Sequence, residues 1–207
     1  MYAIVENNQI TQYVNFPKSV VIGDVRYPAK IFELWSKAEK EAIGIYEIVV
    51  DQKNYKDPGY YINTDSSYTF ADGQVTESWG TATPKRLEDE DVKDEDGENI
   101  LDEDGNQIIN YGLKTEKKRI VKQQASGLLA STDWYVIKAN EVEGYTVPEN
   151  ITTFRADVRA KSNEMETQID ACSNVDELKT LYEYVNTGTE ENPVIKRPLV
   201  EFPEEVV

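Results

Sequence analysis

Two arginines four residues apart have the spacing that lets both side chains bind carboxylates from one helix face. Arg155 and Arg159 lie in a stretch with helical periodicity, so both side chains fall on one face of a helix. Each guanidinium can bind a carboxylate through two parallel hydrogen bonds, from Asp133 or from an acidic partner. Beside Asp133 is Trp134, whose ring we expect to be buried with its indole N–H paired. A structural role, locking the Trp134 turn to the helix, is favoured over substrate binding.

The composition removes most of the common catalytic constellations. The 207 residues include no histidine, which excludes Ser-His-Asp and Cys-His machinery and His-ligated metals. Cys172 is the single cysteine, and its place in an apolar pattern favours a buried small hydrophobe over a nucleophile. The 39 acidic residues make a carboxylate pair for glycan hydrolysis available, but sequence alone supplies no geometry for one. We therefore expect no enzyme and no cofactor, and keep a glycan-acting enzyme as a third hypothesis.

A strongly acidic segment, 88–104, is the second place where chemistry is conceivable. Its carboxylates are opposed by Lys93 alone, and an eight-residue repeat runs through 94–109. A calcium loop needs carboxylates at alternating positions before a glycine. With Gly97 as that glycine, the first ligand position falls on Val92, so the register fails. We expect two turns joining short strands in a solvated hairpin, and no ordered metal.

The overall charge restricts the partners. A net charge of −17 and a pI of about 4.4 argue against binding to nucleic acid or to an anionic membrane surface. No run of 18 apolar residues is present, so no membrane-spanning segment is expected. The N-terminus has neither a basic start nor an apolar core, which predicts no signal peptide and folding in a cytoplasm.

The longest helical pattern follows Pro148 and ends near Cys172. Apolar residues that return to one side of a 3.6-residue helix form a stripe. Its members are Ile151, Phe154, Val158, Met165, Ile169 and Cys172. Three heptads are enough to contribute to an oligomer interface, so we expect a homo-oligomer. A second pattern over 175–185, capped at Ser173-Asn174, predicts a helix packed back on the first.

A further helix is expected over 115–130, where the charge changes sign. Its neighbouring basic residues are Lys114, Lys117, Lys118 and Arg119. They can contact the acidic hairpin within the molecule, contact it on a neighbouring subunit, or form a solvated helix face.

The first 85 residues predict an antiparallel β-rich module with one short helix. Hairpins are expected over 2–14 and 68–79, and a central strand over 45–50. Ser36 and Glu39 provide a capping box for the helix. Four tyrosines either form an adhesive surface or, as we favour, face the core: Tyr55, Tyr60, Tyr61 and Tyr68.

The predicted class is therefore α+β, in four segments. These are a β-rich docking module at 1–85, an acidic repeat hairpin at 86–112, a helical segment at 113–187 and an extended arm at 188–207. Arms of this kind either fray or dock on a neighbour.

Two stretches carry a family resemblance. The run Ile22-Gly-Asp-Val-Arg-Tyr-Pro, followed by residues 31–46, resembles the opening of small tail-region proteins of tailed bacteriophages. Leu128-Leu-Ala-Ser-Thr-Asp-Trp, with Arg155-Ala-Asp-Val-Arg159, is similar to the C-terminal element of phage tail fibre assembly proteins. In those proteins a Leu-Leu-x-x-Thr-Asp-Trp segment precedes a helix bearing two spaced arginines. Together the stretches cover about half of the chain.

The resemblance implies a role in a virion. We expect a non-enzymatic structural component of the tail or tail-fibre attachment region, made in the host cytoplasm, with other tail or fibre proteins as partners. The alternative is a tail fibre assembly chaperone absent from the mature particle. Where the assembly proteins continue with a proline-rich end, this chain has a second helix after Ser162, which favours the structural component.

Overall fold

The chain forms two compact units, Met1–Thr83 and Pro84–Val207. Their structure is a computed structural model that describes residues 1–206. The chain forms both helices and strands, so the predicted α+β class is confirmed. The segments predicted at 86–112, 113–187 and 188–207 all lie in the second unit.

The first unit is built on a five-stranded sheet with strand order β2-β1-β5-β8-β7. Its elements are β1 Tyr2–Glu6, β2 Gln9–Val14, β3 Val20–Ile22, β4 Val25–Tyr27, α1 Ile31–Leu34, α2 Lys37–Glu41, β5 Ile45–Asp51, β6 Tyr61–Ile62, β7 Ser66–Ala71 and β8 Gln74–Trp79. The two-residue strand β9, Thr83–Pro84, falls at the boundary between the units along the chain. The predicted hairpins are β1–β2 and β7–β8, and β5 is the central strand. β3 and β4 form a small ribbon beside the main sheet.

Two details of the prediction for this unit are wrong. The sheet is mixed rather than antiparallel, because β5 and β8 pair in parallel, with Ile48 opposite Val75. The β7–β8 hairpin reverses the chain after it has left β5, so that β8 returns in the direction of β5. There are also two short helices rather than one, since α1 precedes α2. No side chain caps α1, which explains why no capping signal revealed it.

Local chemistry accounts for the turns and for α2. Asn7 and Asn8 both have positive φ, at 53° and 63°, as a two-residue hairpin turn with the right-handed twist requires. The capping box at α2 is present: the Ser36 N–H donates to the Glu39 carboxylate at 2.8 Å, and the Glu39 N–H donates to Ser36 Oγ at 3.3 Å. Gly44 then ends the helix at φ 84°, where a Cβ would lie 2.5 Å from the Val5 carbonyl oxygen.

Side chains from both faces of the main sheet form apolar clusters. One cluster contains Ile4, Val14, Val20, Ile31, Phe32 and Ile45. The other contains Ala3, Val5, Ile48 and Val75. The four predicted tyrosines lie in different environments. Tyr60 and Tyr61 are buried, and Tyr55 is exposed. Tyr68 is partly buried, and its hydroxyl donates to the Glu77 carboxylate at 2.7 Å. The alternative of a four-tyrosine adhesive surface is therefore wrong, because burial removes two of its members.

The second unit is mainly helical. Its elements are β10 Glu90–Asp91, β11 Ile109–Asn110, α3 Leu113–Ala130, α4 Asp133–Glu141, α5 Glu149–Ala171, α6 Val175–Tyr182, β12 Val185–Asn186 and β13 Ile195–Lys196. The predicted hairpin of α5 and α6 is confirmed. Asn174 caps α6 by accepting from the Glu177 N–H at 2.9 Å, and the Glu177 carboxylate accepts from the Ser173 N–H at 2.6 Å.

All six members of the α5 stripe are buried within this one chain. α3 packs along α5, and Ala125, Phe154 and Val158 share a buried cluster. The expectation that the stripe forms an interface between copies is therefore wrong, because the chain's own helices and arm already cover it. An apolar stripe at this spacing looks the same in sequence whether it faces a neighbour or its own fold.

The C-terminal arm docks on its own helices. Leu199 is 2% exposed, and its N–H donates to the Leu181 carbonyl at 3.0 Å. Gln168 of α5 holds the arm at two points, donating to the Pro198 carbonyl at 3.3 Å and accepting from the Val200 N–H at 3.0 Å. Phe202 packs against the α3–α5 cluster. Residues 198–200 of the arm therefore dock within the chain, an arrangement that the prediction of fraying or docking on a neighbour did not include.

The acidic repeat forms a small ring rather than a single projecting hairpin. Val92, Ile100 and Ile108 are eight residues apart, and each donates its N–H to the carbonyl of another at 2.9 Å, closing a three-membered cycle. The two turns are held alike: Asp94 and Asp102 each accept two backbone N–H groups at 2.8–3.0 Å. The hydrogen bonds from Asn106 hold the pKa of Asp102 below its ordinary value.

Candidate protein-interaction site

The residues of the Thr-Asp-Trp motif build a polar junction between three helices. α3 ends at Ala130, and Thr132, which is fully buried, begins α4. Thr132 Oγ1 donates to the Leu129 carbonyl at 2.9 Å, so its hydroxyl closes the last turn of α3. Because that hydroxyl is buried, its remaining acceptor capacity needs a donor from elsewhere in the fold.

Arg155 of α5 is that donor. Its Nη1 lies 2.7 Å from Thr132 Oγ1, 2.9 Å from the Leu129 carbonyl oxygen and 2.8 Å from Asp133 Oδ1. The Arg155 side chain is only 12% exposed, whereas the Asp133 side chain is 55% exposed, so solvent weakens the ion pair more than the hydrogen bonds to Thr132 and Leu129. The predicted pairing of Arg155 with Asp133 is therefore present, and it ties α5 to the joint between α3 and α4.

Arg159 does not share in the pairing, although it lies one turn further along α5. Its Nη1 donates to the Arg155 carbonyl at 3.2 Å, and no carboxylate oxygen of residues 1–206 lies within 4.0 Å of it. The contacts at the Thr-Asp-Trp junction are made by Arg155. Arg159 is exposed and keeps most of its donors for another acceptor.

The expectation that Trp134 is buried is wrong. Its side chain is 50% exposed and stacks on the neighbouring Tyr135 ring, with the centroids 3.8 Å apart. Lys138 lies 5.7 Å from the Trp134 centroid and 4.4 Å from that of Tyr145. Thr132 and Arg155 stabilise the junction instead, so the Trp134 indole does not contribute to holding it together.

α4 contains a run of apolar and aromatic residues at 134–137, and none of its nine residues is buried. Trp134 and Ile137, three residues apart, lie on one side, and Val136 lies on the other. Ile137 is 55% exposed, and Val142 just after the helix is also exposed. Neighbouring apolar side chains that stay exposed on a folded protein are typical of a protein-binding surface. Trp134 and Ile137, which share one side of the helix, are called the α4 surface below.

A cleft of about 490 Å³ lies between α3 and α5, next to this surface. It is lined by Lys122, Ala125, Ser126, Leu129, Ala130, Asp133, Arg155, Arg159, Ser162 and Asn163. Two of its cations are paired, Arg155 with Asp133 and Lys122 with Glu166 at 3.2 Å. Arg159 is the cation in the cleft that has no carboxylate within reach among the described residues.

The other basic residues of α3 are engaged inside the second unit. Lys114 is buried and pairs with Glu88 at the start of the acidic segment, and it also donates to the Asp170 carbonyl at 3.0 Å. Lys118 pairs with Asp170 at 2.7 Å, which raises the pKa of Lys118. Lys117 lies 4.7 Å from the Tyr182 ring centroid. Lys117 and Lys118 therefore tie α3 to the helical hairpin, and Arg119 pairs with Glu116 on α3 itself. Of the four basic residues, Lys114 makes the predicted contact with the acidic segment within the molecule.

Cys172 is placed as expected for a packing residue. It is buried at the end of α5, and its Sγ donates to the Gln168 carbonyl at 3.4 Å. Burial is the main cause that raises the pKa of the thiol, and the negative charge of Glu177 adds to it. A raised pKa lowers the thiolate fraction, which is the nucleophilic form.

Sequence reasoning missed α4 and the burial of Thr132. Thr132 followed by an acidic residue before an apolar run is a helix-start pattern, so this signal was available. Exposure of the α4 surface had no such signal. Within the described residues, no group of three or more Cys, Asp or Glu side chains is arranged to hold a metal ion. Across residues 1–206, no helix combines the length and apolar character that crossing a membrane requires.

Comparison with protein-family models, curated proteins and solved structures found no match to this chain.

Proposed function

We propose that the protein is a non-enzymatic structural component of a bacteriophage virion, in the tail or the tail-fibre attachment region. It acts through protein–protein interaction, with other tail or fibre proteins as partners. The observation that carries the interaction role is the α4 surface, which presents Trp134 and Ile137 to solvent on a helix with no buried residue. The phage context is supported by the motif resemblance at residues 128–134 and 155–159.

The α4 surface is firmly positioned, which suits a docking role. Two hydrogen bonds and one ion pair from Arg155 fix the start of the helix, so binding there requires little ordering of the backbone. Aromatic anchors such as Trp134 are enriched among residues that dominate binding energy. The proposal includes a homo-oligomer, whose interface must use a surface other than the buried α5 stripe.

One observation favours the second candidate, a tail fibre assembly chaperone absent from the mature particle. The α5 stripe is covered by the chain itself, which removes the main argument for a symmetric assembly. A chaperone would use the same α4 surface, but transiently.

Quantitative mass spectrometry of purified virions separates the two candidates. A structural component is expected at a fixed number of copies per particle, and the chaperone is expected only in the infected-cell lysate. Light scattering of the purified protein adds the oligomeric state. Absence from virions together with a monomer in solution would overturn the structural proposal.

The role of the α4 surface is tested with a double variant, Trp134→Ser with Ile137→Ser. We expect particle assembly to fail while the folded protein accumulates normally. Leu34→Ser is the matched control, because Leu34 is 75% exposed on the first unit and is not part of the α4 surface. Normal assembly with the double variant would contradict the proposal.

A further inference from the structure

We propose that the cleft between α3 and α5 binds a carboxylate side chain of the partner segment that covers the α4 surface. This inference rests on the proposed function, since it names the chemistry of the same partner. The segment would carry an Asp or Glu beside an aromatic or large aliphatic residue. The carboxylate would bind at Arg159, and the apolar residue would pack on Trp134 and Ile137.

The first argument is the charge on Arg159. The chain carries a net charge of −17, and cations of this cleft are paired with carboxylates wherever the fold provides them. Arg159 is left without one among residues 1–206. A guanidinium offers five N–H donors in a planar fork that matches a carboxylate. The hydrogen bond of Arg159 to the Arg155 carbonyl engages Nη1 and orients the group without neutralising it.

Arg155 supplies the second argument. Its three contacts at the junction are all made by Nη1, and residues 1–206 give its Nε and Nη2 no hydrogen-bond partner. Both arginines line the same cleft, together with the polar side chains of Ser126 and Asn163. A carboxylate there would therefore meet donors from two successive turns of α5.

Continuity with the α4 surface decides the kind of ligand. Asp133 lines the cleft and is also the first residue of α4, directly before Trp134. A ligand that fills both places must be extended and part apolar, part anionic. A peptide segment meets this description, and a lone inorganic anion would leave Trp134 and Ile137 uncovered. The acidic residue of the peptide fixes the register in which the peptide binds, because it determines which apolar residue of the peptide lies on α4.

The test is a selection from a random twelve-residue peptide display library on the immobilised full-length protein. Peptides selected on the wild type should be enriched in Asp and Glu beside aromatic or aliphatic residues. On Arg159→Ala the acidic enrichment should disappear and the apolar preference should stay. Lys161→Ala is the matched control, since Lys161 is on the same helix, pairs with Glu164 and does not line the cleft.

One selected peptide is then titrated by fluorescence anisotropy. We expect Arg159→Ala to weaken its binding about tenfold, the effect of one charge-assisted hydrogen-bonding contact, and Lys161→Ala to leave it unchanged. Replacing the acidic residue of the peptide by its amide should weaken binding to the wild type and have no further effect on Arg159→Ala.

Each other outcome counts against the inference. Selected peptides without acidic enrichment, or equal losses with Arg159→Ala and Lys161→Ala, overturn it. If peptides without acidic enrichment still require Trp134 and Ile137 for binding, the result supports the α4 surface and the proposed function but contradicts the preference for an acidic residue. A concentration-dependent dimer that Arg159→Ala abolishes would assign the cleft to a second copy. Failure to select any peptide overturns both.

Discussion

Arg155 and Arg159 show how two identical side chains on one helix face acquire different roles. Arg155 is mostly buried and supports the junction of α3, α4 and α5, whereas Arg159 is exposed and has no carboxylate partner among the described residues. The difference comes from one helical turn, because the buried hydroxyl of Thr132 lies opposite Arg155 only. Sequence similarity to a motif with two arginines does not separate these roles.

The first prediction uses this contrast. Arg155→Met removes the donor of Thr132 and Asp133 and is expected to lower the free energy of unfolding by about 2 kcal/mol. Arg159→Met is expected to change it by less than about 0.5 kcal/mol, since surface substitutions without such partners have small effects. Urea denaturation followed by circular dichroism measures both. Equal effects of the two substitutions would show that the junction is not the structural role of Arg155.

The second prediction concerns Cys172. Its raised pKa and burial are expected to make the thiol of the native protein react with Ellman's reagent at least about tenfold more slowly at pH 8 than the thiol of the urea-unfolded protein. The rate should rise with pH, because the thiolate fraction rises towards the raised pKa. A native rate equal to the unfolded rate would mean that the end of α5 is open to solvent.

At the scale of the elements, α4 and α5 have opposite relations to the rest of the unit. α5 buries its stripe, with Ile169 fully buried, while α4 buries no residue. Two isoleucines therefore lie in opposite environments within one unit, Ile169 in the core and Ile137 at the surface.

The third prediction follows from these two isoleucines. Ile169→Ala is expected to lower the free energy of unfolding by about 3 kcal/mol, because it leaves a cavity in a covered core. The same substitution at Ile137 is expected to change it by less than about 1 kcal/mol. Chemical denaturation of both variants measures the difference. A large loss with Ile137→Ala would indicate that α4 packs on the fold and is not a free surface.

The amino-acid composition of the whole molecule determines how its stability depends on pH. With no histidine, the chain has no side chain whose ordinary pKa falls between about 6 and 7.5. Stability linked to ionisation is therefore expected to change mainly in acid. Glu39 and Asp102 both have a lowered pKa, caused by hydrogen bonds from Ser36 and Asn106 respectively.

The fourth prediction gives the sign of this dependence. A carboxyl group whose pKa is lowered by folding contributes stability above its ordinary pKa, and the contribution is lost as pH falls through the lowered value. The free energy of unfolding is expected to vary by less than about 0.5 kcal/mol between pH 6 and 7.5 and to decline below about pH 4. Urea midpoints across this range measure it, with Asp102→Asn flattening part of the acid decline. A transition near pH 6.5 would contradict the prediction.

Features that depend on a few neighbouring residues can be predicted from the sequence. The Asn7-Asn8 turn, the Ser36–Glu39 capping box and the Asn174 cap each follow from backbone and side-chain preferences over four residues or fewer. The extent of α5 follows from periodicity, which is equally local. The Arg155–Asp133 ion pair could also be predicted, although the two residues are distant in sequence, because a cation and an anion occur in the same two-part motif.

What covers each apolar surface could not be predicted from the sequence, because it depends on contacts between distant segments of the chain. The α5 stripe and the run at Trp134 are both apolar in sequence, yet one is buried and the other is exposed. The outcome depends on α3, α6 and the arm at Leu199, which reach α5 through contacts far apart along the chain. The parallel pairing of β5 with β8 has the same origin. Burial is a property of the assembled fold, so periodicity gives the face of a helix but not its partner.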